Sequence, residues 1–179
     1  VRFPGVVIIH GGGWLAGDKG ASREQNIGTT LARAGYVCAS INYVLAAPGR
    51  PTWPQNLRDC KTAVQFLRQY ADRYQVDADH VGVIGGSAGG HLAAMVALVG
   101  PEAGLEPTEP YGGVSSRVQA AVVMYGITDL LTRKRTQPDG TPIDGALTEG
   151  GTPVMLGAGR DENPRLWVEA SPVSHVTAG

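Results

Sequence analysis

Short apolar runs punctuated by helix-forming stretches constrain this chain more than any other feature. Residues 5–10 (GVVIIH), 80–85 (HVGVIG) and 118–126 (VQAAVVMYG) are rich in β-branched residues and do not alternate with polar ones. Such runs belong to strands covered on both faces. Residues 36–43 (YVCASINY) read as one more strand, second in chain order. Between the strands the pattern turns helical. Ser22, with Gln25 three residues on, has capping-box spacing, and the helix it opens closes at Gly35. Pro54 suits a first helical position, and from there Leu57, Cys60, Val64, Leu67 and Ala71 recur at three- and four-residue steps on one apolar face. Residues 88–99 supply a third helix. The order β-α-β-α-β-α-β predicts an α/β fold: a mostly parallel sheet with helices on both faces and right-handed crossovers.

The chain has 179 residues, a length that suggests one domain. A net charge of -1 leaves no electrostatic footprint for nucleic acid or an anionic membrane, so a partner is recognised locally. No apolar stretch approaches the roughly 20 residues of a membrane span. Cys38 and Cys60 are the only cysteines and fit neither a disulfide framework nor a CxxC metal site, so both read as core thiols. The 26 glycines are about twice the usual share and gather at two loops, where backbone must approach something closely. Beyond Asp129 the pattern fades. Residues 132–153 are polar and turn-rich, and 163–176 hold room for one short helix. This divides a single domain, 1–179, into a core over 5–130 and a loop or lid-like region over 131–179.

The first glycine cluster surrounds a serine. Gly85-Gly86-Ser87-Ala88-Gly89 is G-x-S-x-G, placed after a strand and before a helix. A serine nucleophile has to stand clear of its own backbone, on a turn so tight that neighbouring Cβ atoms have no room. An ordinary N-cap serine in a glycine-rich turn is the bland reading of the same residues. The second cluster, HGGGW over 10–14, leaves the end of another strand. Its bare N–H groups, with that of Ala88, could point at the oxyanion formed when Ser87 Oγ attacks a carbonyl. Two rival readings fail. Gly11, Gly13 and Ala16 formally fit a dinucleotide fingerprint, but no helix opens there and the next strand ends at Asn42 where an acid would be needed. Neither cluster is followed by the Lys and Ser/Thr of a P-loop.

IHGGGWLAGDK (9–19), NYVLA (42–46), the stretch 53–93 ending in VIGGSAGGHLA, and MYGITDL (124–130) together resemble α/β-hydrolase carboxylesterases, close to bacterial feruloyl and acetyl-xylan esterase-like, hormone-sensitive-lipase-like enzymes. The resemblance implies Ser87 as nucleophile, Gly12, Gly13 and Ala88 as oxyanion donors, and Trp14 at the acyl pocket. It implies that His10 orients its loop rather than acting as base. It also implies no metal and no organic cofactor, and as substrate a small-molecule or polysaccharide-linked ester. Val44 stands where such enzymes usually carry arginine, which puts a loop-stabilising ion pair in doubt.

A serine needs a histidine to take its proton and an acid to orient that histidine, and in this fold both follow the serine on loops after later strands. Here His91 lies one helical turn beyond Ser87 and reads as packing. His80 sits at the opposite end of the sheet, and His175 has no strand behind it. Asp129 follows the fourth strand at the correct end but is structural in the enzymes it resembles, while Asp161 and Glu162 lie in the turn-like GRDEN. The expectation is therefore a partial domain, truncated at both ends, with acid and base beyond Gly179, strands in the order two, one, three, four, and edges prone to wrong pairing. Ester hydrolysis is the leading reading. Amide or formamide hydrolysis, and ligand binding without catalysis, are the alternatives.

Overall fold

The computed structural model describes residues 1–133, 141 and 150–177. Most of the polar stretch 132–153 lies outside the described residues. Four strands, β1 (Phe3–Ile9), β2 (Val37–Ile41), β3 (Val76–Gly86) and β4 (Ala120–Met124), form one parallel sheet in the order β2-β1-β3-β4. The expected order holds. Ile9 pairs with Ile41 on one side and Gly85 on the other, and Gly86 pairs with Met124. The strands therefore finish nearly level, and both glycine clusters open from the same end of the sheet.

Helices cover both faces. α1 (Ser22–Arg33) packs on β1 and β2, with Gly28 against Ile8. α2 (Gln55–Gln69) lies on the opposite face, its Leu67 against Gly5. Successive residues of a strand point to opposite sides, so this division follows from the alternation along β1. α4 (Ala88–Leu98) lies beside α2 and packs on β3, β4 and β1. α2 ends at Gln69 and a short helix, α3 (Ala71–Tyr74), follows before Gln75 turns left-handed and starts β3. The core between α2, α4 and the sheet gathers Val7, Ile9, Leu57, Val64, Val83 and Leu92.

Several boundaries differ from the sequence reading. Ala21, not Ser22, is the N-cap of α1; Gln25 instead sends its side chain back to the Gly20 carbonyl at 2.8 Å. Pro54 is an N-cap rather than a first helical residue. β3 begins at Val76 because Val76 and Asp77 pair with Phe3 and Pro4 before the register shifts at Gly5. Cys60 is fully buried and desolvation raises its pKa well above the ordinary thiol range, whereas Cys38, in β2, is only partly covered.

Among the described residues beyond Asp129, α5 (Thr152–Leu156) precedes α6 (Pro164–Glu169), the short helix expected within 163–176, and a 3-10 turn follows at Pro172–His175. They pack onto the core through Met155, Leu156 and Trp167. Ser171 ties this segment to the end of β4, its Oγ accepting from Leu130 N at 2.9 Å and donating to Trp167 O at 2.7 Å.

Candidate active site

Ser87 sits between β3 and α4 with φ 56° and ψ −121°. A non-glycine residue in this region is strained by on the order of 1–3 kcal/mol and persists only where its surroundings over-determine it. They do so here. Ser87 N donates to Met124 O at 2.9 Å, and Ser87 O accepts from His91 N at 2.9 Å. A Cβ on Gly85 would run into the Gly89 carbonyl, and one on Gly89 into the carbonyls of Ile9 and His10. Ser87 occupies the N-cap position, yet its side chain makes no capping hydrogen bond. The ordinary N-cap reading of this serine is thereby set aside.

The second glycine cluster lies against the first. A Cβ on Gly11 would meet Gly86 O at 2.8 Å and Ser87 Cβ at 3.4 Å. Gly12, Gly13 and Trp14 follow with φ of 125°, 60° and 63°. This path is closed by Gly12 O, which accepts from Leu15 N and Ala16 N, both at 3.1 Å, and by Trp14 O, which accepts from Ala46 N at 2.9 Å. His10 stacks on Tyr43 at 4.4 Å, its Nδ1 donates to Gly11 O at 2.8 Å, and the Tyr43 hydroxyl donates to His10 O at 3.2 Å. Burial pushes the Tyr43 phenol well above its ordinary pKa, so it stays a donor.

The structure thus brings Ser87, Ala88, Gly12 and Gly13 to one end of the sheet. Trp14, expected at the acyl pocket, lies beneath the loop with its indole 1% exposed. Indole Nε1 donates to Nδ1 of His91 at 3.2 Å, and Nε2 of His91 donates to Ala170 O at 2.7 Å. His91 is fully buried, and desolvation lowers its pKa to about 4 despite the opposing pull of the Ala170 carbonyl. The Trp14–His91 link was not legible in the sequence. Arg23 is a second residue the sequence reading passed over. Its Nε donates to the buried Glu24 carboxylate at 2.8 Å, and its Nη1 to the Tyr125 hydroxyl at 2.6 Å, across the space Gly86 leaves open.

None of the candidate acids or bases hydrogen-bonds the Ser87 hydroxyl; His91 meets Ser87 only through its backbone N–H. His175 lines a cleft with Val96, Ala97 and Leu98, at the far end of α4, and Nε2 of its ring donates to Glu169 O at 2.7 Å. An 11-residue helix is roughly 16 Å long, which separates that histidine from the elbow. His80 binds Asp77 at 2.8 Å at the start of β3. Asp129 caps its own turn: hydrogen bonds from the Thr132 hydroxyl and backbone N–H lower its pKa. Glu162 accepts from Gly159 N at 2.7 Å, and Asp161 is exposed. Among the described residues no group of three or more potential metal ligands occurs, and no helix is long and apolar enough to cross a membrane.

Comparison with known proteins agrees with this geometry. The family model described as BD-FAE matches residues 1–179. Two Mycobacterium tuberculosis proteins, esterase LipC and esterase LipQ, are 32% and 31% identical to the chain, covering 97% and 98% of it but 41% and 39% of themselves. The chain spans about two-fifths of the length of these curated relatives. Among solved structures, Thermogutta terrifontis esterase 2 phosphonylated by sarin superposes with a TM-score of 0.75 at 27% identity, over 99% of this chain and 59% of that one. A truncated carbohydrate esterase from gut microbiota superposes equally well, 0.75 at 25% identity, over 98% of this chain and 62% of that one. By its strand order, its two glycine loops and a family match along its whole length, the chain belongs to the BD-FAE family of α/β-hydrolase carboxylesterases.

Proposed function

We propose that the whole protein is a serine carboxylic-ester hydrolase in which Ser87 is the nucleophile. The observation that carries this is the strained backbone of Ser87, held with its hydroxyl free of any capping bond and packed against a loop of three successive positive-φ residues. Strain of this kind is retained where it presents a reacting group. In the proposed reaction Ser87 Oγ attacks the ester carbonyl. The N–H groups of Gly12, Gly13 and Ala88 stabilise the developing oxyanion, the alcohol leaves, and water releases the acid from the acyl-enzyme. No metal or organic cofactor enters these steps. Trp14 backs the acyl side of the site from beneath the loop.

Each of the four histidines is engaged elsewhere: His10 with Gly11, His80 with Asp77, His91 with Trp14 and Ala170, and His175 with Glu169. The reading therefore takes its general base and orienting acid from residues of the whole protein outside these 179. Short-chain acyl, acetyl or feruloyl esters, free or attached to polysaccharide, are the proposed substrate class. This is in keeping with neighbours such as the gut carbohydrate esterase. The test is p-nitrophenyl acetate turnover by the whole protein and its Ser87→Ala variant. Loss of at least about 10⁴-fold in kcat is expected for a nucleophile. Undiminished turnover overturns the assignment, and faster cleavage of a matched anilide than of the ester would move it to amide hydrolysis.

A further inference from the structure

The two halves of the proposed oxyanion hole come from segments far apart in sequence: Gly12 and Gly13 after β1, Ala88 at the head of α4. One residue touches the supports of both. His91 N donates to Ser87 O and so belongs to the elbow, while the His91 side chain reaches Trp14, the last of the three positive-φ residues in the glycine loop. The partners fix the state of the ring. Indole Nε1 can only donate, so Nδ1 of His91 must present its lone pair; a carbonyl can only accept, so Nε2 must carry the proton. With both nitrogens committed inside the core, the ring is neutral and confined to one tautomer. Trp14 is held at two points, by Ala46 N on its carbonyl and by His91 on its indole. Its left-handed backbone, which L-residues resist, is what carries the loop from Gly13 back under the site.

We propose that His91 is a positioning residue for ester hydrolysis: through Nδ1 it anchors the Trp14 indole and thereby fixes the Gly12 and Gly13 donors opposite Ala88. The role rests on the reading of Ser87 as nucleophile. It gives the histidine of the serine loop a function distinct from that of the general base. Donors that lose this anchor still bind substrate, but they drift from where charge develops, so the loss falls on kcat rather than KM.

Two amide replacements separate this role from plain packing, because each keeps a different one of the two hydrogen bonds. In His91→Asn the amide lies at the Nδ1 position and its oxygen can accept from Trp14. In His91→Gln it reaches the Nε2 position and can donate only toward Ala170 O. Measured on the whole protein with an acetyl ester, His91→Gln is expected to lose on the order of 10- to 100-fold in kcat, at similar KM, while His91→Asn restores it to within about threefold of the parent. Equal kcat in the two variants overturns the proposal. Trp14→Phe, which deletes the indole N–H and leaves His91 in place, supplies the same test should either His91 variant fail to fold: a matching fall in kcat supports the anchor, and unchanged kcat overturns it. Ser87→Ala run alongside keeps the two claims apart, because its retained turnover would sink the nucleophile assignment whatever His91 does.

Discussion

The carboxyl end of the sheet and the face that carries α1 are finished to different standards. At the carboxyl ends of β1 and β3 each turn is pinned: Gly85 and Gly89 against carbonyl oxygens, Ser87 between two backbone hydrogen bonds, Trp14 by His91. On the face that carries α1 the sheet is only half covered. α1 lies over β1 and β2, and the remainder is an open apolar groove between Leu31, Tyr36, Ile84 and Val122, with Val122 50% exposed at the β4 edge. Backbone geometry is thus fixed turn by turn at the carboxyl ends, whereas the α1 face of these 179 residues leaves apolar side chains unpacked. Filling space should do damage at one side and little at the other.

Gly89→Ala is the severest way to break that contrast. The new methyl meets two backbone carbonyls that cannot swing aside, so roughly 3 kcal/mol or more should be lost in urea unfolding. A loss below about 1 kcal/mol would mean that the elbow is not over-determined. Acid probes the same side more gently. His91 titrates near 4 in the fold, against an ordinary 6.5, so the unfolded chain takes up the proton first as pH falls. Its contribution is complete above pH 6.5, shrinks as pH drops toward 4 and totals about 3 kcal/mol. Stability of His91→Asn compared with the parent across that window checks it, because the variant should lack this part of the slope. The open face gives the smallest effect: Val122→Thr should shift stability by no more than about 0.5 kcal/mol while reducing self-association seen by light scattering.

Strand order and the position of Ser87 were legible because continuous β-branched runs and glycine spacing report directly on backbone geometry. What escaped the sequence involves side chains whose partners are distant. Lys61 and Gln65 fall on the apolar face of α2, between Leu57, Val64 and Leu67, and their spacing from Leu57 could have flagged them as buried. Their partners could not be foreseen: Lys61 Nζ meets Val99 O at 2.7 Å, the Ser116 hydroxyl and the Glu106 carboxylate, all beyond the next strand. The cap of α1 escaped for a different reason. Ser22 has the right spacing, but the chain bends one residue earlier, and Gln25 finds the Gly20 carbonyl instead. Trp167 lay in a segment with no strong periodicity. Its burial is decided by the core, with the indole donating to Ala158 O at 3.1 Å.

The β2-β1-β3-β4 order also has a consequence for how the molecule is born. As the chain is made, β1 can pair with β2 soon after α1 closes, but its other edge waits until α2 and α3 have been completed and β3 arrives. The elbow and the glycine loop meet across that seam, where Ile9 faces Gly85, and the elbow then waits for β4 to bring the Met124 carbonyl to Ser87 N. Contacts between segments so far apart in sequence are the slow ones to form. The nascent chain therefore forms its β1–β2 scaffold early and the end proposed to carry the chemistry late. Any chaperone holding it during synthesis has the inner edge of β1 to protect.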